Sequence, residues 1–254
     1  MHWIREKILD RQLLAGTFLG LGSSVTAEIT AHTGFDWILI DLEHGVGDRP
    51  QLVQQLQAIR GGTAAPLVRI QWNETPTFKR ILDLGPSGVM IPFVNNAAEA
   101  EHAVESMLYP PDGVRGVAIL TRASGFGQQF DQYFEEANKN LAVVAQIESV
   151  EGLKNAEAIA AVDRVDVLFI GPMDLSVSMG IPKQFDHPDF KAALAQVVGA
   201  AKNAGKAAGI LAGSTAQLEG FIEAGFSFVA CGSDASAVTA GMNNVLSAFE
   251  RFRS

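Results

Sequence analysis

Eight short apolar runs punctuate the chain: Leu14 to Leu19, Trp37 to Asp41, Pro66 to Ile70, Gly88 to Ile91, Ala142 to Ile147, Asp166 to Ile170, Ala207 to Leu211 and Ser227 to Cys231. Between them lie segments with helical spacing, among them Gln51 to Ile59, Ala97 to Met107, Glu151 to Ala160, Phe190 to Ala204, Thr215 to Ala224 and Ala235 to Phe252. The runs are nearly continuous rather than alternating, which is the pattern of strands covered on both faces, as in a parallel sheet. Eight strand–helix units in 254 residues predict an α/β fold of the closed (β/α)8 TIM-barrel type, with residues 1–254 forming one domain. An open doubly wound sheet is the alternative, but no G-x-G-x-x-G follows the first run, and Gly16, Gly20 and Gly22 have the wrong spacing. Helix starts are marked by Asp48 with Pro50, by Ser214 and by Ser233 with Asp234.

Charge and cysteine content narrow the function classes. A net charge of -9 leaves no broad basic surface for nucleic acid or for an anionic membrane, so an anionic substrate would need locally placed arginines. Cys231 is the one cysteine, which rules out a disulfide framework or a cysteine zinc site within one chain and suits a reducing cytoplasm. The amino terminus alternates charged and apolar residues, unlike a signal peptide, and every apolar run is broken before it could span a membrane. A long irregular stretch, Leu108 to about Asn140, follows the fourth strand and is rich in Pro and Gly. Its length and position predict an active-site loop.

In a parallel barrel, residues at the carboxyl ends of the strands face the active-site mouth. The polar residues there are Asp41, Glu43 and His44, then Arg69, Gln146, Glu148 and Asp174; Asp83 stands apart, near the end of the third helix. Glu148 leaves a fully apolar strand, so its carboxylate either faces the mouth or is buried unpaired at a cost of several kcal/mol, roughly. Asp174 holds the equivalent place one unit later, and two carboxylates with open positions suit a hard divalent cation such as Mg²⁺ or Mn²⁺. The competing reading makes Asp174 the cap of a helical turn. His44, with Asp41 nearby, has the spacing of an oriented general base, although a lone histidine is more often structural. Arg69 ends an apolar strand and needs either a salt bridge to Asp41 or Glu43 or an anionic ligand. No strand ends in lysine, which disfavours Schiff-base chemistry and points to enolate chemistry on a metal.

Five segments together carry a resemblance that covers the chain almost end to end: Asp41-Leu42-Glu43-His44-Gly45, Val68-Arg69, Tyr109-Pro110-Pro111 through Arg115-Gly116, Gln146-Ile147-Glu148, and Gly171-Pro172-Met173-Asp174-Leu175-Ser176. The sequence resembles the HpcH/HpaI aldolases, metal-dependent class II pyruvate aldolases of the 4-hydroxy-2-oxoheptanedioate and 2-dehydro-3-deoxyglucarate type. That resemblance implies a phosphoenolpyruvate/pyruvate-type barrel. It also implies reversible retro-aldol cleavage of 4-hydroxy-2-oxo acids to pyruvate and an aldehyde, through a pyruvate enolate held on Mg²⁺, Mn²⁺ or Co²⁺. Glu148 and Asp174 match the family's metal ligands, His44 its base and Arg69 the arginine that stabilises the enolate. Gln146, Gly171, Pro172, Met173 and Asp174 match its substrate contacts. Asp41 and Asp83 match acidic positions that raise the basicity of the histidine, Asp83 across a subunit interface.

The same resemblance implies a homohexamer, a trimer of dimers, with the C-terminal helix exchanged between neighbours; packing on its own barrel is the alternative. Many relatives carry a second basic residue soon after the position of Arg122, where this chain has Ser124-Gly125-Phe126-Gly127, so short or polar aldehydes are expected over those ending in a carboxylate. Citrate lyase-like or phosphoenolpyruvate mutase-like chemistry is a further alternative, against which stands the lack of an extra basic cluster for coenzyme A or phosphate. A non-catalytic binding barrel is the third.

Overall fold

The computed structural model describes residues 2–250 and 252–253. A short helix α1 (Arg5–Leu9) leads into β1 (Leu14–Leu19), α2 (Ser24–Ala31), β2 (Trp37–Asp41), α3 (Arg49–Ile59), β3 (Ala65–Arg69), α4 (Thr75–Leu82), β4 (Gly88–Ile91) and α5 (Ala97–Met107). The second half continues with α6 (Phe130–Asn140), β5 (Ala142–Ile147), α7 (Val150–Lys154), α8 (Ala156–Ala161), β6 (Val167–Ile170), α9 (Pro172–Ser178), α10 (Pro188–Asn203) and β7 (Ala207–Ala212). A 3-10 turn (Thr215–Gln217), α11 (Leu218–Ala224), β8 (Phe228–Ser233) and α12 (Asp234–Glu250) follow. The strands close in sequence order into a fully parallel barrel, with β8 pairing β1. Among the described residues, no helix is long and apolar enough to cross a membrane.

Side-chain alternation divides each strand between two cores. Trp37, Leu39, Leu67, Met90, Val144, Val167 and Phe169 fill the barrel interior, whereas Ile38, Ile40, Val68, Val143, Leu168 and Ile170 pack outward against the helices. Inside, the Trp37 and Phe228 rings stack with centroids 4.0 Å apart and Phe169 meets both edge-on. Gly16 is required there, because a Cβ on it would overlap the Trp37 indole. Ile4 and Ile8 join the interior cluster, so α1 packs into the amino-terminal end of the barrel.

The helices obey the expected punctuation. Asp48 and Gln51 form a capping box at α3, Ser214 and Gln217 another before α11, and His187 accepts from the Asp189 amide at the start of α10. Three sequence expectations are corrected. The segment 151–160 breaks at Asn155 into α7 and α8. The segment 215–224 opens as a 3-10 turn. The irregular stretch ends at Gln129, because Phe130–Asn140 is helical, and it follows α5 rather than β4. Helix α5 has by then carried the chain back to the amino end of the strands, so this stretch does not line the barrel's own mouth. The expected helix Ala235 to Phe252 is seen to Glu250; residue 251 lies outside the described residues.

Candidate active site

The period-two alternation that packs the interior also builds the mouth. Trp37 and Leu39 point inward, and so does Asp41; Ala65 and Leu67 are followed inward by Arg69, and Ala142 and Val144 by Gln146. Each of these polar residues is the last inward position of its strand, and Asp41 stands directly beside Arg69 in the register of β2 and β3. The sequence therefore places acids and a guanidinium where apolar filling ends.

Arg69 is the hub. Its Nε donates to Asp41 Oδ1 at 2.9 Å and its Nη2 to Asp41 Oδ2 at 2.7 Å, a two-pronged pair, while Nη1 lies 3.0 Å from Glu43 Oε2. Asp41 Oδ1 also accepts from the backbone N–H groups of Glu43 and His44 at 3.0 and 3.3 Å, which folds the chain sharply beyond β2. Burial works to raise the Asp41 pKa, but the Arg69 hydrogen bonds and charge and the two amides outweigh it and hold the carboxyl below its usual range. Glu43 goes the other way: burial raises it, against the attraction of Arg69.

Glu148 is 2% exposed, and its carboxyl is pushed up to about 7, chiefly by burial, with the Glu43 and Asp174 charges adding to the rise. Its Oε1 accepts from Gln146 Nε2 at 2.5 Å and its Oε2 from the Phe93 amide at 3.1 Å. Gly171 leaves the space this carboxylate needs, since a Cβ there would overlap Glu148. Asp174, half-buried, sits in the first turn of α9, whose N-cap is Gly171 without a side-chain cap bond. Among the described residues Asp174 makes no side-chain hydrogen bond, and its place in the first turn is one a helix favours for an acid. Met173 is exposed at the rim, and its carbonyl accepts from Ser176 Oγ, which accounts for the serine in that segment.

A divalent cation fits this donor set. Three carboxylates, Asp41, Glu43 and Glu148, act on one arginine, and Gln146 Oε1 beside them is buried without a partner, whereas Glu43 Oε2 is held by its ion pair with Arg69. An orphaned oxygen among several carboxylates suits a hard cation. Among the described residues, no three His, Cys, Asp or Glu side chains cluster closely enough to enclose a metal. Were Glu148 and Asp174 to hold it, the remaining positions would fall to water and substrate.

Not every expected residue meets here. The His44 imidazole is 65% exposed, and the acid nearest it is Glu43, with Nε2 3.8 Å from Oε2. Asp41, expected beside the imidazole, touches only the backbone N–H of His44 and spends its carboxylate on Arg69. Asp83 caps the C-terminus of α4, at the opposite end of the barrel, and pairs with buried Arg115 at 3.2 Å. Arg115 in turn lies over the Tyr109 ring, 4.3 Å from its centroid, which explains the Tyr109 to Gly116 segment as a support for Asp83. Arg122 is also at that end and donates to the Leu84 carbonyl. One contributor escaped the sequence reading: Phe93, whose left-handed backbone (φ 49) aims its N–H at Glu148. No residue type signals a main-chain donor, so sequence pattern had no means of finding it.

Comparison with known proteins agrees with this geometry. The family described as HpcH/HpaI aldolase/citrate lyase matches residues 14–240. The chain is 41% identical over 241 residues to the 5-keto-4-deoxy-D-glucarate aldolase of Salmonella arizonae, covering 95% of this chain and 94% of that protein. Among solved structures, an HpcH/HpaI aldolase/citrate lyase family protein from Burkholderia cenocepacia superposes with a TM-score of 0.93 at 38% identity, covering 99% of each chain. An HpcH/HpaI aldolase from Desulfitobacterium hafniense gives 0.91 at 27% identity, covering 98% of each. A parallel barrel with this mouth and these relatives belongs to the HpcH/HpaI aldolase/citrate lyase family, and the protein is a carbon–carbon lyase of that family.

Proposed function

We propose that the protein cleaves a 4-hydroxy-2-oxo acid, with the substrate named for its Salmonella relatives as the first candidate, into pyruvate and an aldehyde, reversibly and with a divalent metal. The observation that carries this reading is the buried mouth itself: Arg69 fixed by two carboxylates and a desolvated Glu148, with the Gln146 Oε1 acceptor unfilled. Glu148 and Asp174 would hold the cation, Mg²⁺, Mn²⁺ or Co²⁺, which when bound would supply Lewis acidity toward the oxo-acid oxygens. Arg69 faces the oxygen on which negative charge develops, and Gln146 with the backbone of Gly171, Pro172 and Met173 orients the oxo-acid end. His44 accepts the proton of the 4-hydroxyl. The bond between carbons 3 and 4 breaks, its electron pair passes into the enolate, and a proton returned to carbon 3 forms the methyl group of pyruvate.

Helix α12 supports assembly into a homo-oligomer, a hexamer as a trimer of dimers. From Ser236 to Glu250 it is exposed, including Val238, Met242, Val245, Leu246 and Phe249, so its apolar residues are not used on its own barrel. Exchange of this helix between neighbours would cover them, and a neighbour's mouth is the place where Asp83 could approach a histidine. In this reading residues 1–254 work as one barrel domain in the cytoplasm. Truncation after Ser233 should convert the oligomer to smaller species on sizing, and an unchanged elution would reject exchange.

Pyruvate release from 5-keto-4-deoxy-D-glucarate, followed with lactate dehydrogenase after EDTA stripping and resupply of each cation, tests the activity. Metal-restored release is expected, and activity indifferent to EDTA would refute the Glu148 and Asp174 site.

A further inference from the structure

Arg115 is among the largest fully buried side chains of the protein, yet it lies in an irregular segment at the end of the barrel remote from the chain's own mouth. Its guanidinium stands 4.3 Å from the Tyr109 ring centroid and 5.6 Å from that of Tyr133. Nη1 donates to the Tyr133 hydroxyl at 3.1 Å and Nη2 to Asp83 Oδ1 at 3.2 Å, while Nε is buried without a partner. Two aromatic rings and a hydroxyl therefore fix the guanidinium, and the guanidinium fixes one carboxylate. Stability does not explain the arrangement, because well-packed apolar residues often serve as well as a buried ion pair, and this one leaves a donor unmet.

Asp83 is clipped twice. Arg115 holds its carboxylate and the Ala123 amide donates to its carbonyl at 3.0 Å, so the segment 116–122 arches away from it with Val117, Ile119 and Leu120 exposed. Oδ1 is thereby taken, whereas Oδ2 accepts no hydrogen bond among the described residues, and 18% of the side chain stays accessible. We infer that Arg115 is a positioning residue for a neighbouring active site: it turns Asp83 so that Oδ1 stays bound and Oδ2 is presented to the His44 imidazole of a second copy of this chain. That imidazole is 65% exposed in its own subunit, so it is open to a carboxylate from outside. The inference rests on the reading that Asp83 meets a neighbour's histidine, and its test separates the two.

The test co-expresses two differently tagged full-length variants and isolates the mixed assemblies. Alone, Arg115→Met and Asp83→Asn should each lower kcat for oxo-acid cleavage by about tenfold to a hundredfold, part of what a general base contributes, with KM held. His44→Ala should be inactive. Mixed with His44→Ala, each of the other two should regain activity, because the intact histidine of one subunit then meets an intact Arg115–Asp83 pair from the other. Arg115→Lys, which keeps the charge without the planar fork, should restore part of kcat. Carbethoxylation of His44, read by peptide mass spectrometry, follows the same contact without turnover: it should be faster in both single variants than in wild type. Recovery in the Asp83→Asn mixture but not in the Arg115→Met mixture, or a His44 modification rate unchanged in Arg115→Met, overturns the assignment. Recovery in neither removes Asp83 from the neighbour's mouth and the proposal with it. If wild type cleaves no oxo acid, that function falls, yet the modification rates still decide the role of Arg115. If Arg115→Met fails to fold, Tyr133→Phe removes only the hydroxyl that holds Nη1. It should give the same pattern at smaller amplitude, and wild-type kcat and modification in it would reject the proposal.

Discussion

The two ends of the barrel use the same ingredients to opposite purposes. At the amino end, buried Asp166 takes Arg5 Nε at 2.9 Å on one oxygen and the Val143 amide at 3.0 Å on the other. At the carboxyl end, Arg69 also meets buried acids, but there three carboxylates face one guanidinium, and Gln146 Oε1 has no hydrogen bond. At one end both oxygens of Asp166 are taken, one of them tying α1 to the barrel. The other leaves its acids poised for something from outside. The contrast teaches that an excess of carboxylates around one guanidinium, more than unsatisfied burial, separates the reactive end from the structural one, since Ser87 Oγ, Arg115 Nε and Arg164 Nε at the amino end are also buried without a hydrogen bond.

The sharpest way to break that contrast is Glu148→Gln. Activity should fall on the order of 10³-fold, through loss of a metal ligand, while thermal stability holds or rises because a desolvated carboxylate is gone. A lowered Tm would make Glu148 a structural residue like Asp166. The mirror experiment is Asp166→Ala, which strands Arg5 at the closed end; about 3 kcal/mol of stability should go, read by urea unfolding, with kcat unchanged.

Asp41→Asn tests the boundary between the two roles, with a stability cost of about 2 kcal/mol at neutral pH from the weakened pairing with Arg69. The folded-state pKa of Asp41 lies below its ordinary value, so its contribution is present above an unfolded pKa of about 3.9 and is lost as pH falls through the folded value. The difference between variant and wild type should therefore vanish in acid, and a constant difference from neutral pH down to strongly acid conditions would contradict the pairing. Gly16→Ala, which drives a methyl into Trp37 away from both ends, should cost about 2 kcal/mol without touching KM. Asp48→Ala, at the exposed start of α3, should cost about 1 kcal/mol and no activity.

Much of the barrel was legible beforehand because its signal is local. β1, β2, β4 and β5 fall on the bounds read from their apolar runs, and α5 likewise. Arg69, Gln146 and Glu148 could be placed at the mouth because a polar residue at the end of a buried strand has few places to go. The stretch after α5 was misplaced because Pro and Gly mark irregular backbone without saying at which end of a barrel it lies, and α6 was missed within it although Phe130, Tyr133, Phe134 and Ala137 give it an apolar stripe at helical spacing.

By itself, then, the sequence determined the alternation of buried strands and helices, the barrel those imply, and which side chains end each strand, all through periods of two and 3.6 residues carried by neighbouring positions. Only the tertiary structure decided who pairs with whom: that Asp41 serves Arg69 rather than His44, that Glu43 stands between them, that a Phe93 amide holds Glu148, and that Asp83 lies at the far end. Those pairings depend on distances across strands far apart in the chain and on main-chain donors that no residue type reveals, so periodicity cannot encode them.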